Sequence, residues 1–348
     1  MLELAREVLR GHEAWIVGGA VRDGLLARAV VDLDIACREP RRAAQRYARS
    51  SEGSVFSLSE RHGAWRVALS EGRTVDFTPL PNGIEADLAT RDFTINAIAL
   101  PLEGGEPVDP YGGRADLERR VLRAVSTSIF TDDPLRLLRG VRLEDELGLR
   151  LDSDTERALR EHSELVTGPA SERIYAELRR LSPAGYRRLD ELGLLGQLGG
   201  SLERLDRAGP APSPDLLLVS VFGEALHRLA IPNALARYAS KLERARPPAD
   251  GSPREIHRFR RATEPWALDA LAFVGASELA GAVERARESE PPAPLLRGDE
   301  LGLSPGPEIG RLLEQVAEER AAGTIQTREE ALALVRAQRA RPRAARNG

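Results

Sequence analysis

Asp32 and Asp34 stand one residue apart in the stretch VVDLDIA. On a strand, side chains alternate between faces, so the two carboxylates point one way while Leu33 and Ile35 point the other. Like charges held that close repel and need a counter-charge. A hard divalent cation such as Mg²⁺, which takes carboxylate oxygens together with substrate phosphates, supplies it. A solvated edge strand with two exposed aspartates fits the same pattern. Other segments favour the metal. RTVDFTPL is a second alternating run that sets Asp76 opposite Val75 and Phe77 and offers a third carboxylate. WIVGGAVRDGLLAR reads as strand, glycine turn and helix. There Gly18 and Gly19 allow close backbone approach, the helix N-terminus offers unpaired N–H groups to an anion, and Arg22 lies one turn in, placed to reach a phosphate. The spacing is neither GxGxxG nor a P-loop, which disfavours dinucleotide and P-loop chemistry. Glycine turn, arginine and acidic strand together suit a metal-bound nucleoside triphosphate.

A second constellation lies in FTDDPLRLLRGVRL. Pro134 suits a first helical turn with Asp132 or Asp133 as N-cap. Asp133 and Arg136 are then i,i+3 neighbours, and Arg139 and Arg142 continue along roughly one face. A carboxylate accepts and a guanidinium donates. Cytosine presents an amino donor beside the N3 acceptor, and adenine presents N6–H₂ beside N1, so one Asp–Arg pair satisfies either base. Uracil and guanine present the reverse pattern and leave buried groups unpaired, at about 1–3 kcal/mol each. The plainer alternative is a surface ion pair.

The elements that must hold these residues divide the chain. The runs WIV, VVDLDIA, WRVAL, RTVDF and TINAIAL read as short strands, with amphipathic helices such as AVRDGLLAR and PRRAAQRYARS between them. From Asp132 onward the pattern is helical, broken at AGPAPSP, RPPADGSP and EPPAP. The expected fold is α+β: a small α/β head followed by a long all-helical body. The 348 residues, 42% of them hydrophobic and 30% charged, suit two or three compact units. Cys37 is the only cysteine, no apolar run reaches membrane-spanning length, and MLELAREVLR lacks a signal-peptide core, so a cytoplasmic protein is expected. The net charge of −4 gives no global sign of nucleic-acid binding. Lys241 is the only lysine among 50 basic residues, and arginines gather in RLLRGVR and in RAQRARPRAARNG, where Arg336, Arg339, Arg341, Arg343 and Arg346 have no acidic neighbours.

GGAVRDGLL followed by DLD resembles the first motif of the tRNA nucleotidyltransferase/poly(A) polymerase family in its bacterial-eukaryotic class. DLATRDFTINAIAL (87–100) is similar to the next motif, with Thr90 where a second arginine precedes Arg91–Asp92 in the family. VDPYGGRADLERRVLRAV (108–125) resembles the strand-turn element after it. FTDDPLRLLRGVRL resembles the neck motif, with Asp132 where glutamate is usual. SERIYAELRRL (171–181) resembles the helix-stabilising motif, and LRGDELGLSPGPEIGRLLEQV (296–316) the tail segment.

The resemblance implies a head over 1–128, a nucleotide-recognising neck over 129–190, a body over 191–275 and a tRNA-binding tail over 276–348. It implies attack of an RNA 3′-hydroxyl on the α-phosphate of CTP or ATP, with release of pyrophosphate. Asp32 and Asp34 would hold Mg²⁺, with Asp76 a third catalytic carboxylate. Gly18, Gly19, Arg22, Arg91, Asp92 and Asn96 would bind the nucleotide, Asp133 and Arg136 would template its base, and Arg139 and Arg142 would hold it. The partners implied are the tRNA 3′ end, CTP and possibly ATP, with no membrane.

Between Asp76 and Asp92 the chain reads FTPLPNGIEADLATR, where CCA-completing family members carry a longer flexible loop. Its prolines and glycine describe a compact turn, so CC addition is expected ahead of full CCA addition or poly(A) synthesis. A catalytically inactive RNA-binding protein is opposed by the retained carboxylates. A His-Asp phosphohydrolase is excluded, because the five histidines are scattered and none precedes an aspartate.

Overall fold

The computed structural model describes residues 1–59 and 63–340, in two units, Met1–Gly199 and Gly200–Gly348. His62 and the tail arginines Arg341, Arg343 and Arg346 lie outside the described residues.

The first unit carries a mixed sheet of six strands: β1 (Ala14–Val17), β2 (Asp32–Cys37), β3 (Ser54–Ser59), β4 (Ala64–Ala68), β5 (Thr74–Pro79) and β6 (Ala99–Pro101). Their order is β3-β4-β5-β2-β1-β6, with β2 and β5 parallel and the other neighbours antiparallel. Parallel pairing needs a long crossover. Here α3 (Pro40–Ser51) and the β3–β4 hairpin provide it, after the shorter α1 (Leu2–Val8) and α2 (Gly19–Leu25). Helix α3 buries Ala43, Ala44, Tyr47 and Ala48 between its charged residues. The Tyr47 ring meets Phe77 of β5 at 5.7 Å, so α3 covers the Phe77 side of the sheet. Strand alternation then leaves Asp76 on the side facing away from α3.

TINAIAL is not one strand. Thr94–Asn96 forms a 3₁₀ turn and only Ala99–Pro101 joins the sheet. The reason is local bonding: Thr94 Oγ1 donates to Asp116 Oδ2 at 2.6 Å, and Asn96 Nδ2 donates to Asp92 Oδ1 at 2.9 Å. Side-chain partners of this kind compete with a ladder. Strand β3, SVFSLS, has apolar residues that do not alternate, and Val55, Phe56 and Leu58 are exposed at the sheet edge.

After β5 come α4 (Ile84–Ala89), α5 (Gly113–Arg119), α6 (Ile129–Asp132), α7 (Leu135–Leu147), α8 (Ser153–Glu161), α9 (Ser171–Leu178) and α10 (Pro183–Glu191). A two-stranded parallel ribbon joins Val121–Leu122 to Arg150–Leu151. Helix α7 buries Leu135, Leu137, Leu138, Val141 and Leu143 and ends at Gly148 in the left-handed region. At Gly140 a Cβ would lie 3.1 Å from the Phe93 ring. Glycine there lets α7 rest directly on the segment that carries Asp92.

In the second unit two of the three Pro-rich breaks become helix starts, and EPPAP stays outside any helix. Ser213 and Ser252 cap the Pro214–Phe222 and Pro253–Thr263 helices, accepting from Leu216 N at 3.1 Å and Glu255 N at 3.4 Å, with proline in the first turn. Pro214–Phe222 is buried from Leu216 to Phe222 and forms part of this unit's interior. Leu296, Leu301, Leu312, Val316, Ile325, Ala331 and Val335 make a further core toward the C-terminus. No helix among the described residues is long and apolar enough to cross a membrane.

Candidate active site

The sheet sets the carboxylates by register. Asp34 of β2 is the Cα partner of Asp76 on β5, and Asp32 is the partner of Thr74. Asp32 is exposed at the strand's start, Asp34 is half-buried and Asp76 is buried. Thr74 Oγ1 donates to Asp32 Oδ1 at 2.7 Å. Burial pushes the Asp34 carboxyl up to about 6; Arg91 opposes the rise, and the charges of Asp76 and Asp32 add to it. A group in that position gains most from an added cation.

Gly18, between β1 and α2, has φ +68°, and a Cβ there would sit 3.1 Å from Asp34 Oδ2 and 3.2 Å from Arg91 Nη1. Only glycine combines that backbone with that close approach. The donor set on this face, two carboxylates from one strand beside an open glycine turn, is hard oxygen and fits a hard divalent cation. Among the described residues, no group of three or more His, Cys, Asp or Glu side chains is arranged to hold a metal ion. A cation here therefore needs substrate or solvent oxygens to complete its shell.

Arg22 is buried rather than extended toward open space. Its Nε and Nη2 donate to Asp23 at 2.9 and 3.0 Å, and its Nη1 donates to Asn96 Oδ1 at 2.7 Å. Gly19 leaves room for that guanidinium, since a Cβ would lie 3.4 Å from Arg22 Nη2. Asn96 passes the connection to Asp92, which also accepts from Phe93 N at 2.8 Å and faces Arg139 Nε at 3.0 Å. Burial pushes the Asp92 carboxyl up, but Arg139, Asn96 and the Phe93 N–H outweigh it and hold the group below the ordinary aspartate value. Arg91 turns to Asp87, with Nη2 at 2.6 Å from Oδ2.

The side chains of Asp133 and Arg136 do not pair with each other; the two residues meet only through the backbone, where Arg136 N donates to Asp133 O at 3.0 Å. Asp133 sits in extended backbone between α6 and α7, one residue ahead of the N-cap position, which Pro134 takes, and its carboxylate accepts from Leu135 N at 3.2 Å. Its carboxylate is paired with Arg173 of α9, Nη2 to Oδ2 at 2.7 Å. Burial raises this carboxyl, and the Arg173 bond and charge reverse that to a lowered value. Arg136 Nη2 donates to Thr90 O at 2.8 Å, next to Arg91. Arg142 is buried and held by Glu177 and by Glu146, the latter at 2.8 Å. Its guanidinium is committed to α9 and to its own helix, unlike that of Arg139.

Three residues that touch the candidate site residues escaped sequence reasoning. Arg66 of β4 donates through Nε and Nη2 to both oxygens of Asp76, each at 2.7 Å. Its signal was an arginine alternating with Trp65 and Val67. Arg173 lay inside SERIYAELRRL, a segment read as structural. Asp23 directly follows Arg22, where an adjacent carboxylate competes for the guanidinium.

Residues 14–123 match the family described as the poly A polymerase head domain. The chain is 36% identical to the A-adding tRNA nucleotidyltransferase of Deinococcus radiodurans, over 92% of this chain and 94% of that protein. It is 33% identical to the CC-adding tRNA nucleotidyltransferase of Thermus thermophilus, over 93% of each. In fold it resembles the Thermotoga maritima CCA-adding enzyme complexed with tRNA, with a TM-score of 0.75, 23% identity, and 97% and 95% of the two chains covered. With its carboxylate strand, glycine turn and neck helix in place, the chain belongs to the tRNA nucleotidyltransferase/poly(A) polymerase family and is a nucleotidyltransferase.

Proposed function

We propose that this enzyme adds CMP from CTP to the 3′ end of tRNA lacking its terminal nucleotides, and stops after two additions. The observation that carries this reading is the connection after β5. Between Pro79 and the start of α4 at Ile84 lie only Leu80, Pro81, Asn82 and Gly83. Leu80 is buried with Val17, Ala36, Ile84 and Leu88, so the segment is anchored at both ends, with Pro81 and Asn82 exposed between them. A switch from CTP to ATP requires the base pocket to change shape, and a turn this short and anchored gives little travel.

In the proposed mechanism Asp32 and Asp34 would hold Mg²⁺, which when bound would supply positive charge to favour ionisation of the RNA 3′-hydroxyl and to offset charge on the departing pyrophosphate. The Gly18–Gly19 turn admits the triphosphate close to Asp34, and Arg91 faces it across that turn. Asp133 accepts from the cytosine amino group and Arg136 donates to its ring acceptor, with Arg173 orienting Asp133. Arg22, Asn96, Asp92 and Arg139 fix the neck helix against the head, and Arg142 braces α7 against α9. The four-part division into head (1–128), neck (129–190), body (191–275) and tail (276–348) belongs to this reading, with tRNA held by arginines of the tail.

A second reading, addition of AMP alone to tRNA ending in CC, is favoured by the likeness to the A-adding Deinococcus radiodurans protein. One experiment separates the readings: tRNA transcripts ending at the discriminator base, at C and at CC are incubated with CTP or ATP. CC addition extends the first by two residues and the second by one, and leaves the third unchanged with ATP. Adenosine addition to the CC-ended transcript alone would favour the second reading. Both activities together mark a CCA-adding enzyme, and no incorporation on any transcript marks an inactive RNA-binding protein.

A further inference from the structure

Strand register lines up Val17, Asp34, Asp76, Arg66 and Phe56 as successive Cα partners across β1, β2, β5, β4 and β3. Directly paired residues share a face, so Arg66 lies on the carboxylate side of the sheet. Its fork engages both oxygens of Asp76 at 2.7 Å, the geometry of a strong charge-assisted pair. A cation ligated by Asp76 would sit against that guanidinium. Asp32, by contrast, is bonded to the neutral Thr74 hydroxyl. Arg91, beside Asp34, is turned to Asp87. Three carboxylates therefore share one face, and the one facing Asp34 across the ladder carries its own counter-ion.

We propose that Arg66 is a positioning residue that keeps Asp76 out of the metal's coordination shell, leaving a seat of Asp32 and Asp34 alone. Mg²⁺ demands a near-octahedral shell of oxygens, and two protein carboxylates leave several positions for phosphate and hydroxyl oxygens. Such a seat grips the bare ion weakly and the nucleotide-bound ion well. Were Asp76 released, the seat would gain a negative charge and hold the metal without substrate. The inference rests on the assignment of Asp32 and Asp34 to the metal.

The test is a Mn²⁺ titration of the full chain without RNA or nucleotide, with free Mn²⁺ read by electron paramagnetic resonance. Asp34→Asn is expected to weaken binding about tenfold or more, and Asp76→Asn to change it by less than about twofold. Arg66→Met is expected to tighten binding about fivefold, a gain that disappears in the Arg66→Met/Asp76→Asn double variant. Weakening by Asp76→Asn equal to that by Asp34→Asn overturns the proposal. So does unchanged or weaker binding by a folded Arg66→Met chain, judged by its circular dichroism and melting curve. If Arg66→Met does not fold, the Asp76→Asn arm decides alone. Binding that ignores Asp34→Asn overturns the metal assignment and this inference with it.

Discussion

At the scale of single residues, Asp34 carries a stability cost that the proposed metal seat explains. Its ordinary value is 3.8 and burial raises it to about 6 in the folded chain. Between those values the unfolded chain ionises first, so the group's contribution to stability falls as pH rises and stays unfavourable above pH 6. Asp34→Asn removes that cost. At pH 8 without metal, the variant is expected to be more stable than wild type by about 1–3 kcal/mol, read by thermal or urea melting, while incorporating no nucleotide. The stability difference should vanish toward pH 4. Under the proposed function Asp133 governs selection of the base instead. Truncation to Asp133→Ala leaves Arg173 without its partner and the base without its acceptor. Discrimination against UTP relative to CTP is expected to fall by at least about tenfold, measured as the ratio of kcat/KM values.

At the scale of elements, the Asp92–Arg139 pair ties helix α7 to the head, with Gly140 permitting the contact. Arg139→Ala strands a buried carboxylate. It is expected to lower stability by about 2–3 kcal/mol at pH 7, read by denaturant melting. Because Asp92 is held below its ordinary value, its contribution is present above that value and is lost as pH falls through the folded one. The variant's deficit should therefore shrink in acid. This element was half legible in the sequence. Pro134 and the acidic pair before it announced the helix start, and the arginine spacing announced a charged face. Which arginines point to ligand was hidden, because Glu146 and Glu177 claim Arg142 while Asp92 claims Arg139, and those partners come from other turns and helices. The carboxylate strands were readable because alternation fixes faces within one strand. The Arg66–Asp76 pair was not, because pairing between strands depends on register. The Thr94–Asn96 turn was misread as strand because its apolar neighbours concealed side chains bonded locally.

At the scale of the whole molecule, the candidate chemistry lies within Met1–Gly199, while the family resemblance assigns tRNA binding to the tail. Arginines of the Pro253–Thr263 helix are drawn into pairs within the second unit, Arg254 with Glu319 at 2.6 Å and Arg258 with Glu318 at 2.7 Å. Phosphate contacts displace counter-ions, so tRNA affinity should fall steeply as salt rises from 50 to about 200 mM, whereas CTP-dependent addition to a short CC-lacking minihelix should fall less. A filter-binding salt series on tRNA, run beside an incorporation assay on the minihelix at the same salt concentrations, checks this.

The register of β5 also has a kinetic meaning. Arg66 and Asp76 meet across the antiparallel β4–β5 hairpin, a contact ten residues apart in sequence. Asp34 and Asp76 meet only when the long crossover through α3 has closed, and local contacts form before distant ones. Asp76 is then expected to reach Asp34 with its counter-ion in place, so that docking of the central strands meets a smaller repulsion than three unpaired carboxylates would give.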